Sequence, residues 1–529
     1  MMADVTNHLD GIRPNQMIYC LLQRKPEVIL PVMERSDSRL SMGWKPNPSL
    51  DLPLYRQIEA YIRQKITTGE WSAGYRLPSQ RLWAKSMGVN RSTLVTALDN
   101  LAAAGLLEGR HGGGTYISGS GWHGMAHGAK PNWNEAIEEG WYYPNLPEIQ
   151  QINQAEFRPG IIRLGTGELA PELMPQEAFN DILYALSHRS RTLNYLEPQG
   201  SLELREALSV HLQTTGIQAS PDSILIVSGS LQALHLISVG LLPRGSAVLL
   251  EKPSYLYSIH AFQSAGLKMS GIPMDDEGLH IARLEDAAQH VKDQDHISLL
   301  YTIPSFHNPT GSVMSDHRRE ELMTTARTIG ISILEDAAYS DLWLDKPPPS
   351  SLKARDQEGR VLHMGTLSKA VSPGLRLGWL VGPEPVIRRL ADIKMQTDYG
   401  TSSLAQEAAA LWFAEGHHAG HMERLRPELR RRRDIMLDLL QHHFHDIAEW
   451  EIPAGSFYIW LQFTVSPLSI RQLFHTCLEQ NVLIHPGYLY DRLDASHIRL
   501  SYAYASPDEM ERGLQCLAEA VHRLMDSGS

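Results

Sequence analysis

The 529-residue sequence predicts an α/β protein of two or three domains, and three patterns support this. Near the N-terminus, three helical stretches with apolar stripes are followed by two short strands flanked by glycines. From about residue 160, short apolar runs alternate with helical stretches, which is typical of a mainly parallel sheet covered by helices on both faces. After about residue 385 the chain is helical, and it then forms strands again. We therefore expect a small N-terminal module, a large α/β domain and a smaller C-terminal α+β domain.

Residues 51–118 have the pattern of a winged helix-turn-helix. The first helix is expected from an apolar stripe at Leu54, Ile58, Ile62 and Ile66. Ser79 and Asn90 are the expected N-caps of the second and third helices, and Gly88 allows the tight turn between them. The segment 106–117 has the pattern of a strand, a glycine turn and a second strand, which predicts the wing.

The charge of this module indicates DNA binding. The module has eight Lys or Arg and five Asp or Glu, hence +3, whereas the whole chain carries −12. A basic module on an acidic body is expected to bind DNA through one face only, with the start of the third helix at base edges and arginines at phosphates. The alternative is an accessory domain that only folds. The candidate DNA-binding residues are Arg76, Ser79, Arg81, Asn90, Arg91, Ser92, Thr93, His111 and Gly113.

The rest of the chain divides into an extension, a linker and a large remainder. Residues 1–50, interrupted by prolines, are an N-terminal extension of unknown role, and 119–158 are a linker with interspersed aromatic residues. Residues 159–529 form the remaining domains. Three scattered cysteines indicate a reducing, cytoplasmic location. The sequence shows neither a secretion signal nor an apolar run long enough for a membrane span.

Buried strands are expected at six short apolar runs, namely 224–227, 247–250, 297–301, 331–334, 361–364 and 379–381. In open α/β sheets, ligands gather at the carboxyl ends of such strands. Lys369 follows one run, with Thr366 three residues before it and Arg376 seven residues after it. A lysine amine forms a Schiff base with an aldehyde cofactor, while hydroxyls and an arginine hold a phosphate. This combination indicates pyridoxal 5′-phosphate (PLP).

Other strand ends supply groups that suit the same cofactor. Ser230 and the amide of Leu231 begin a helix after a strand and form an anion site. Asp336 is placed to pair with the pyridine nitrogen. Asn308 and Tyr339 are candidates for the ring oxygen, and Tyr255 is a candidate for stacking on the ring.

The order of these motifs resembles fold-type I aminotransferases. Ser-Lys-x-x-x-Pro-Gly-Leu-Arg-Leu-Gly at 368–378 is similar to the MocR subfamily of GntR-type regulators, which join a winged helix-turn-helix to an aminotransferase-like domain. Leu77-Pro78-Ser79-Gln80-Arg81 and the wing around Gly113 resemble GntR signatures. The resemblance covers about residues 51–520. It implies that 159–529 form a PLP-binding effector domain with the PLP-dependent transferase fold.

The resemblance also implies residue roles. Lys369 carries the internal aldimine, and Lys369, Asp336 and Tyr339 form the catalytic set. Arg499 takes a substrate or effector carboxylate. Tyr195 reaches the phosphate in the neighbouring subunit of a homodimer, which is head-to-tail and domain-swapped in this family. The expected PLP-binding residues are Lys369, Asp336, Asn308, Tyr339, Tyr255, Ser230, Leu231, Thr366, Arg376 and Tyr195.

The functional expectation is a transcription regulator that binds double-stranded operator DNA and senses an amino compound through external aldimine formation at Lys369. An active aminotransferase with a DNA-binding-like module is the alternative, because all catalytic parts are present and the loop before Asn308 resembles that of free-standing enzymes. A third hypothesis is that the protein senses PLP itself.

Two clusters of histidine and arginine residues are expected at the surface. The histidines at 417, 418, 421, 442, 443 and 445 lack an evident set of carboxylate or thiolate ligands, so they are expected on a solvated helix face, with no metal site. The run Arg430-Arg431-Arg432-Arg433 is likewise expected on a solvated face, and the alternative is that it binds phosphate or a partner domain.

Overall fold

The computed structural model describes residues 44–50, 52–67, 70–71, 74–104, 106–110, 114–118, 145–189, 194–257, 259–292 and 297–527. The chain divides into two compact units, Met1–Glu139 and Gly140–Ser529. Most of the expected extension and linker lies outside the described residues. Among the described residues, no helix is long and apolar enough to cross a membrane.

The first unit has the expected helix-turn-helix and wing. Its elements are α1 (Leu54–Thr67), α2 (Gln80–Met87), α3 (Arg91–Ala103), β1 (Leu107–Arg110) and β2 (Gly114–Ile117). The two strands pair antiparallel, with Glu108 opposite Tyr116. Ser79 and Asn90 occupy the N-cap positions of α2 and α3, although neither side chain makes a capping hydrogen bond there. Gly88 ends α2 in the left-handed conformation, with φ 70°.

The core of this unit explains its fold. Ile58 and Ile62 of α1, Leu94 and Leu98 of α3, and Trp83 of α2 are all buried. Burying such side chains contributes about 1.5–3 kcal/mol each, which is enough to hold three short helices together. The neighbouring Leu82 is 69% exposed, so the two residues lie on opposite faces of α2.

The second unit begins with helices and strands that lead into a large sheet. These are α4 (Pro147–Ala155), β3 (Ile162–Arg163), α5 (Gln176–Ser187), α6 (Leu202–Thr214), β4 (Ile224–Val227), α7 (Ser230–Gly240), β5 (Ala247–Lys252), α8 (Ala261–Ser264), β6 (Lys268–Asp275), β7 (Gly278–Leu279), α9 (Ile281–Lys292), β8 (Ile297–Thr302), α10 (Asp316–Ile329), β9 (Ser332–Asp336), α11 (Leu352–Arg355), β10 (Val361–Thr366) and β11 (Gly378–Val381). Helix α4 lies within the expected linker. Its Ile152 and Ala155 are buried in the core of the second unit.

The remaining elements form the C-terminal part. They are α12 (Glu384–Thr397), α13 (Ser403–Ala414), α14 (His417–Phe444), β12 (Ala448–Trp450), β13 (Tyr458–Phe463), α15 (Ile470–Glu479), β14 (Val482–Leu483), β15 (His485–Pro486), β16 (His497–Ser501) and α16 (Pro507–Ser527). Strands β12, β13, β16 and β15 form a smaller antiparallel sheet in that order.

The large sheet is mixed and mainly parallel, with the order β4-β11-β10-β9-β8-β5-β6-β7. The central strands β10, β9, β8, β5 and β6 are parallel to one another, whereas β11 is antiparallel to both of its neighbours. Five of the six expected runs fall within strands of this sheet, and the run 331–334 begins one residue before β9, so the predicted fold class is confirmed. Strand β4 is apolar throughout because helices cover both faces of the sheet, as the complete burial of Ile224–Val227 shows.

The expectation of solvated faces on α14 was wrong for four side chains. His418 and His421 are buried, and so are Arg432 and Arg433. Arg432 pairs with Glu172, and Arg433 pairs with Asp345. The sequence pattern did not indicate this burial because other elements cover α14 along much of its length. Buried cations are tolerated where acidic partners pair with them.

Candidate functional site

Lys369 lies in a turn that a hydroxyl organises. Thr366, at the end of β10, donates its hydroxyl to the carbonyl of Leu377 at 2.9 Å and accepts the amide of Ser368 at 3.1 Å. This local network fixes the chain just before Lys369. The Lys369 Nζ donates to the carbonyl of Gly167 at 2.8 Å, so the amine is directed toward a segment near the start of the second unit.

Asp336 ends the neighbouring strand β9 and is buried. The Tyr301 hydroxyl donates to Asp336 Oδ2 at 2.7 Å, and the amide of Ala338 donates to Oδ1 at 3.0 Å. Burial raises the pKa of Asp336, while these two donors lower it in part. A buried carboxylate of this kind gains most from a cationic partner, and a protonated pyridine nitrogen would be one.

Asn308, Tyr339 and Arg499 are brought together by strands far apart in sequence. The Asn308 Nδ2 donates to the Tyr339 hydroxyl at 3.3 Å, and that hydroxyl lies 2.9 Å from the hydroxyl of Tyr458. The peptide bond before Pro309 is cis. Arg499 donates from Nη1 to Asn308 Oδ1 at 2.8 Å. The expected ring-oxygen and carboxylate groups therefore form one connected network.

Arg499 is buried and only partly satisfied. Its Nη2 donates to the carbonyl of Gly165 at 2.7 Å, and its guanidinium lies 4.1 Å from the ring centre of Tyr458. Its Nε has no hydrogen-bond partner among the described residues. His485 lies 3.0 Å from Nη2, and burial, together with the charge of Arg499, holds the pKa of His485 well below its usual value. The site thus presents one buried cation with an unused donor.

The opposite end of the site is shaped by Gly229 and Arg376. Gly229 precedes α7, which begins at Ser230, and has φ 84° and ψ 163°. A Cβ at Gly229 would lie 2.5 Å from Nη2 of Arg376. Arg376 itself has φ 49°, and its Nη2 donates to the carbonyl of Ser228 at 3.2 Å. Glycine therefore lets a guanidinium approach the N-terminus of a helix, where the amides of Ser230 and Leu231 favour an anion.

Tyr255 and Tyr195 occupy different surroundings. Burial raises the pKa of Tyr255 to about 12, and its hydroxyl also experiences the charges of Asp336, Arg499 and Arg376. Tyr255 thus lies among the groups of the candidate site. Tyr195 is 78% exposed and packs edge-on against Tyr399, with ring centres 4.7 Å apart.

Several residues at the site were missed by sequence reasoning. Tyr301, Tyr458 and His485 carry no motif, because only the fold brings them to the site. Gly165 and Gly167 had a readable signal in their Gly-x-Gly spacing. A Cβ at Gly165 would lie 2.4 Å from the His485 ring, and one at Gly167 would lie too close to the Tyr458 hydroxyl.

The candidate DNA-binding residues of the first unit lie mostly at the surface. Arg76, Ser79, Arg81, Asn90, Arg91 and Ser92 are exposed, and Thr93 is half-buried. His111 and Gly113 lie outside the described residues. Because α2 and α3 bury their apolar stripes, the polar start of α3 is left free to face a partner.

The residues present fit PLP on structural grounds. A lysine amine, a buried carboxylate, a guanidinium at a helix N-terminus and a buried arginine with an unused donor match the aldehyde, the pyridine nitrogen, the phosphate and a substrate carboxylate in turn. The glycine at 229 leaves space that any Cβ would fill.

Two family descriptions match this chain. Bacterial regulatory proteins of the gntR family match residues 54–117, and aminotransferase class I and II matches residues 159–517. The uncharacterized HTH-type transcriptional regulator YisV of Bacillus subtilis (strain 168) is 49% identical over 484 residues, which cover 92% of this chain and 99% of that protein. The HTH-type transcriptional regulator NorG of Staphylococcus aureus (strain USA300) is 30% identical over 442 residues, which cover 83% of this chain and 98% of NorG.

Solved structures agree with the second match. The kynurenine aminotransferase of Pyrococcus horikoshii, solved with PMP, has a TM-score of 0.68 and 31% identity, covering 74% of this chain and 96% of its own. The multiple substrate aminotransferase of Thermococcus profundus has a TM-score of 0.70 and 28% identity, covering 75% of this chain and 100% of its own. The predicted family is therefore confirmed: the chain belongs to the MocR-type HTH transcriptional regulators, in which a GntR DNA-binding domain precedes an aminotransferase class I and II domain.

Proposed function

We propose that this transcriptional regulator binds PLP at Lys369 and responds to an amino compound that carries a carboxylate. The observation that supports this most is the buried Arg499. Its guanidinium is tied to Asn308 at 2.8 Å, and it keeps an Nε without a partner in the described part of the chain. A buried cation with a spare donor is suited to a ligand carboxylate.

The proposed roles follow from position. When bound, PLP supplies an aldehyde that condenses with the amine of Lys369 or of an effector. Asp336 would hold a proton on the pyridine nitrogen, and Asn308 and Tyr339 would donate to the ring oxygen. Arg376, Thr366 and the amides of Ser230 and Leu231 would hold the phosphate, and Tyr255 would pack on the ring.

The first unit would then bind double-stranded operator DNA through the exposed residues at the start of α3. The exposed Tyr195 supports a homodimer in which this side chain completes the phosphate site of the partner. Other large apolar side chains are also exposed in the second unit, including Leu183, Tyr184, Tyr399 and Leu404. A head-to-tail arrangement is proposed from the family resemblance.

Cofactor binding is tested by the visible absorbance of the purified protein and by borohydride reduction. The wild type should be coloured and should retain the cofactor covalently on Lys369 after reduction. The variant Lys369→Ala should lose both signals. A colourless wild type, or unchanged absorbance in the variant, would contradict the assignment.

Regulation is tested by footprinting upstream of the protein's own gene while amino acids are titrated. Arg91→Ala should weaken operator binding, whereas Arg63→Ala, which removes an exposed charge on α1, should change it little. Arg499→Lys should weaken the response to the amino acid without weakening basal DNA binding. If the footprint ignores every amine tested but responds to PLP, the protein senses the cofactor itself.

Aminotransferase activity is the second candidate. It is favoured by the presence of Lys369, Asp336, Tyr339 and Arg499 in one site and by the likeness to structures named as aminotransferases. Steady release of a 2-oxo acid from an amino donor and an oxo acceptor would support it. A single slow half-reaction would support the regulator.

A further inference from the structure

A cavity of about 1170 Å³ lies on the opposite face of the large sheet from Asp336. His363 lines it and pairs in register with Glu335, whereas Asp336 pairs with Met364. Because neighbouring residues of a strand point to opposite faces, the cavity and the PLP groups are separated by the sheet. Of the candidate PLP residues, Thr366 alone lines the cavity. The volume of the cavity lies just above the range of roughly 300–1,000 Å³ found for small-molecule sites.

The wall of this cavity carries a group of three polar side chains. The ligand atoms of His211, Asp341 and His418 lie within 4.8 Å of one another. The Trp412 indole donates to His418 Nδ1 at 3.1 Å, so His418 Nε2 carries the proton and lies 3.1 Å from Asp341 Oδ2 as a donor. A metal ion would need the lone pair that this proton occupies. The group is therefore arranged to accept hydrogen bonds from a ligand.

Two acceptors face the cavity side by side. Burial lowers the pKa of His211 to about 4, so its ring is neutral near pH 7. Neither ring nitrogen of His211 has a hydrogen-bond partner in the described ranges. Burial acts to raise the pKa of Asp341, but His418, His211 and Arg426 outweigh it and bring this pKa to about 2. An ionised carboxylate and a neutral imidazole lone pair together suit the N–H of a cation.

The lining also includes aromatic and acidic side chains. Phe413 and Trp379 are in contact edge-on, with ring centres 6.0 Å apart, and both line the cavity. Glu206 and Glu423 are exposed at its wall. The positive charge of Arg426 is already engaged, since its Nε donates to the carbonyl of Asp341 at 2.9 Å and its guanidinium lies 4.0 Å from the Trp343 ring centre.

We propose that this cavity binds a small organic cation, with its ammonium N–H at Asp341 and His211 and an apolar, aromatic body against Phe413 and Trp379. The site is separate from the proposed PLP site, so either proposal can fail alone. The cavity nevertheless borders residues that are neighbours of the candidate PLP residues in the sequence. Ala338 and Ala370, which line the cavity, are within two residues of Asp336 and Lys369.

The test is isothermal titration calorimetry of the purified full-length protein with N,N-dimethyl-2-phenylethylammonium. This tertiary amine keeps one N–H and does not form an imine with an aldehyde. Its N,N,N-trimethyl analogue lacks the N–H, and 2-phenylethyl methyl ether lacks the charge. We expect 1:1 binding of the tertiary amine, with each analogue at least tenfold weaker.

Two variants and a matched control localise the binding. Asp341→Asn removes the charge but keeps an oxygen for His418, and His211→Phe keeps the ring volume but removes the acceptor. Each should weaken the tertiary amine at least tenfold while the ether is unaffected. Glu449→Gln removes one exposed charge on β12, away from the cavity lining, and should change nothing.

Three outcomes would overturn the proposal. The tertiary amine binds Asp341→Asn as it binds the wild type, or it binds no tighter than the ether. Alternatively, Zn²⁺ binds the wild type stoichiometrically and is lost in Asp341→Asn, which would make the group a metal site. Thermal unfolding of each variant shows whether a loss of binding reflects a loss of fold, and the second variant then decides.

Discussion

Replacing Gly229 by Ala should separate the stability of the fold from its ability to hold a phosphate. Gly229 has φ 84° and ψ 163°, a region that is nearly confined to glycine and costs about 1–3 kcal/mol for other residues. In addition, the new Cβ would lie 2.5 Å from Nη2 of Arg376, so the guanidinium must move away from the helix N-terminus.

The two effects have different sizes and different assays. The backbone cost should lower the free energy of unfolding by about 1–3 kcal/mol, measured by urea denaturation of the cofactor-free protein. Displacing one charge-assisted contact to the phosphate should cost about 1.5–3 kcal/mol in PLP binding. That range corresponds to a dissociation constant about 10- to 150-fold larger, measured by following the visible absorbance while PLP is titrated into the protein.

Gly330→Ala is the matched control. Gly330 has φ 74°, a Cβ there would meet nothing within 4 Å, and the residue ends α10 away from the site. This control should lose stability and keep its PLP affinity. If Gly229→Ala holds PLP as tightly as the wild type, the proposed phosphate site is wrong.

Three further predictions rest on buried polar groups. Tyr301→Phe removes a donor that lowers the pKa of Asp336, so PLP affinity should fall, and the pH below which it is lost should move upward in a pH titration. Arg433→Ala removes a buried guanidinium that pairs with the exposed Asp345 and donates to the carbonyl of Pro453, and it should lower the free energy of unfolding by about 2 kcal/mol, whereas replacing the exposed Arg431 by Ala should change denaturation little. Burial lowers the pKa of both His211 and His421 to about 4. Unfolded histidines take up protons first, so stability should fall as the pH drops from about 6.5 to about 4, and His211→Phe should flatten that dependence.

The fold could be predicted from the sequence wherever the local pattern of apolar residues matches the residues that the structure buries. The run 224–227 is apolar because helices bury it on both faces, and the stripe of α3 is apolar because α1 and α2 pack on it. Lys369 and Asp336 were identifiable because strand ends converge at one edge of a parallel sheet.

Other parts of the site were inaccessible because they depend on tertiary contact. Tyr301 is one apolar-looking residue in a buried strand, and only the register of β8 against β9 brings its hydroxyl to Asp336. His418 and Arg433 lie in a polar stretch of α14, and their burial follows from partners 77 and 88 residues away. Composition carries no record of such distant pairs.

The hydrogen bond between Arg499 and Asn308 has a mechanical consequence. Arg499 belongs to β16 of the smaller sheet, whereas Asn308 follows β8 of the large one, so this contact helps to join the two sheets, together with the contact between the hydroxyls of Tyr339 and Tyr458. Under the proposed function, an anionic guest at the unused Nε of Arg499 would lie beside this contact. The charge of such a guest would then act at the junction between the two sheets.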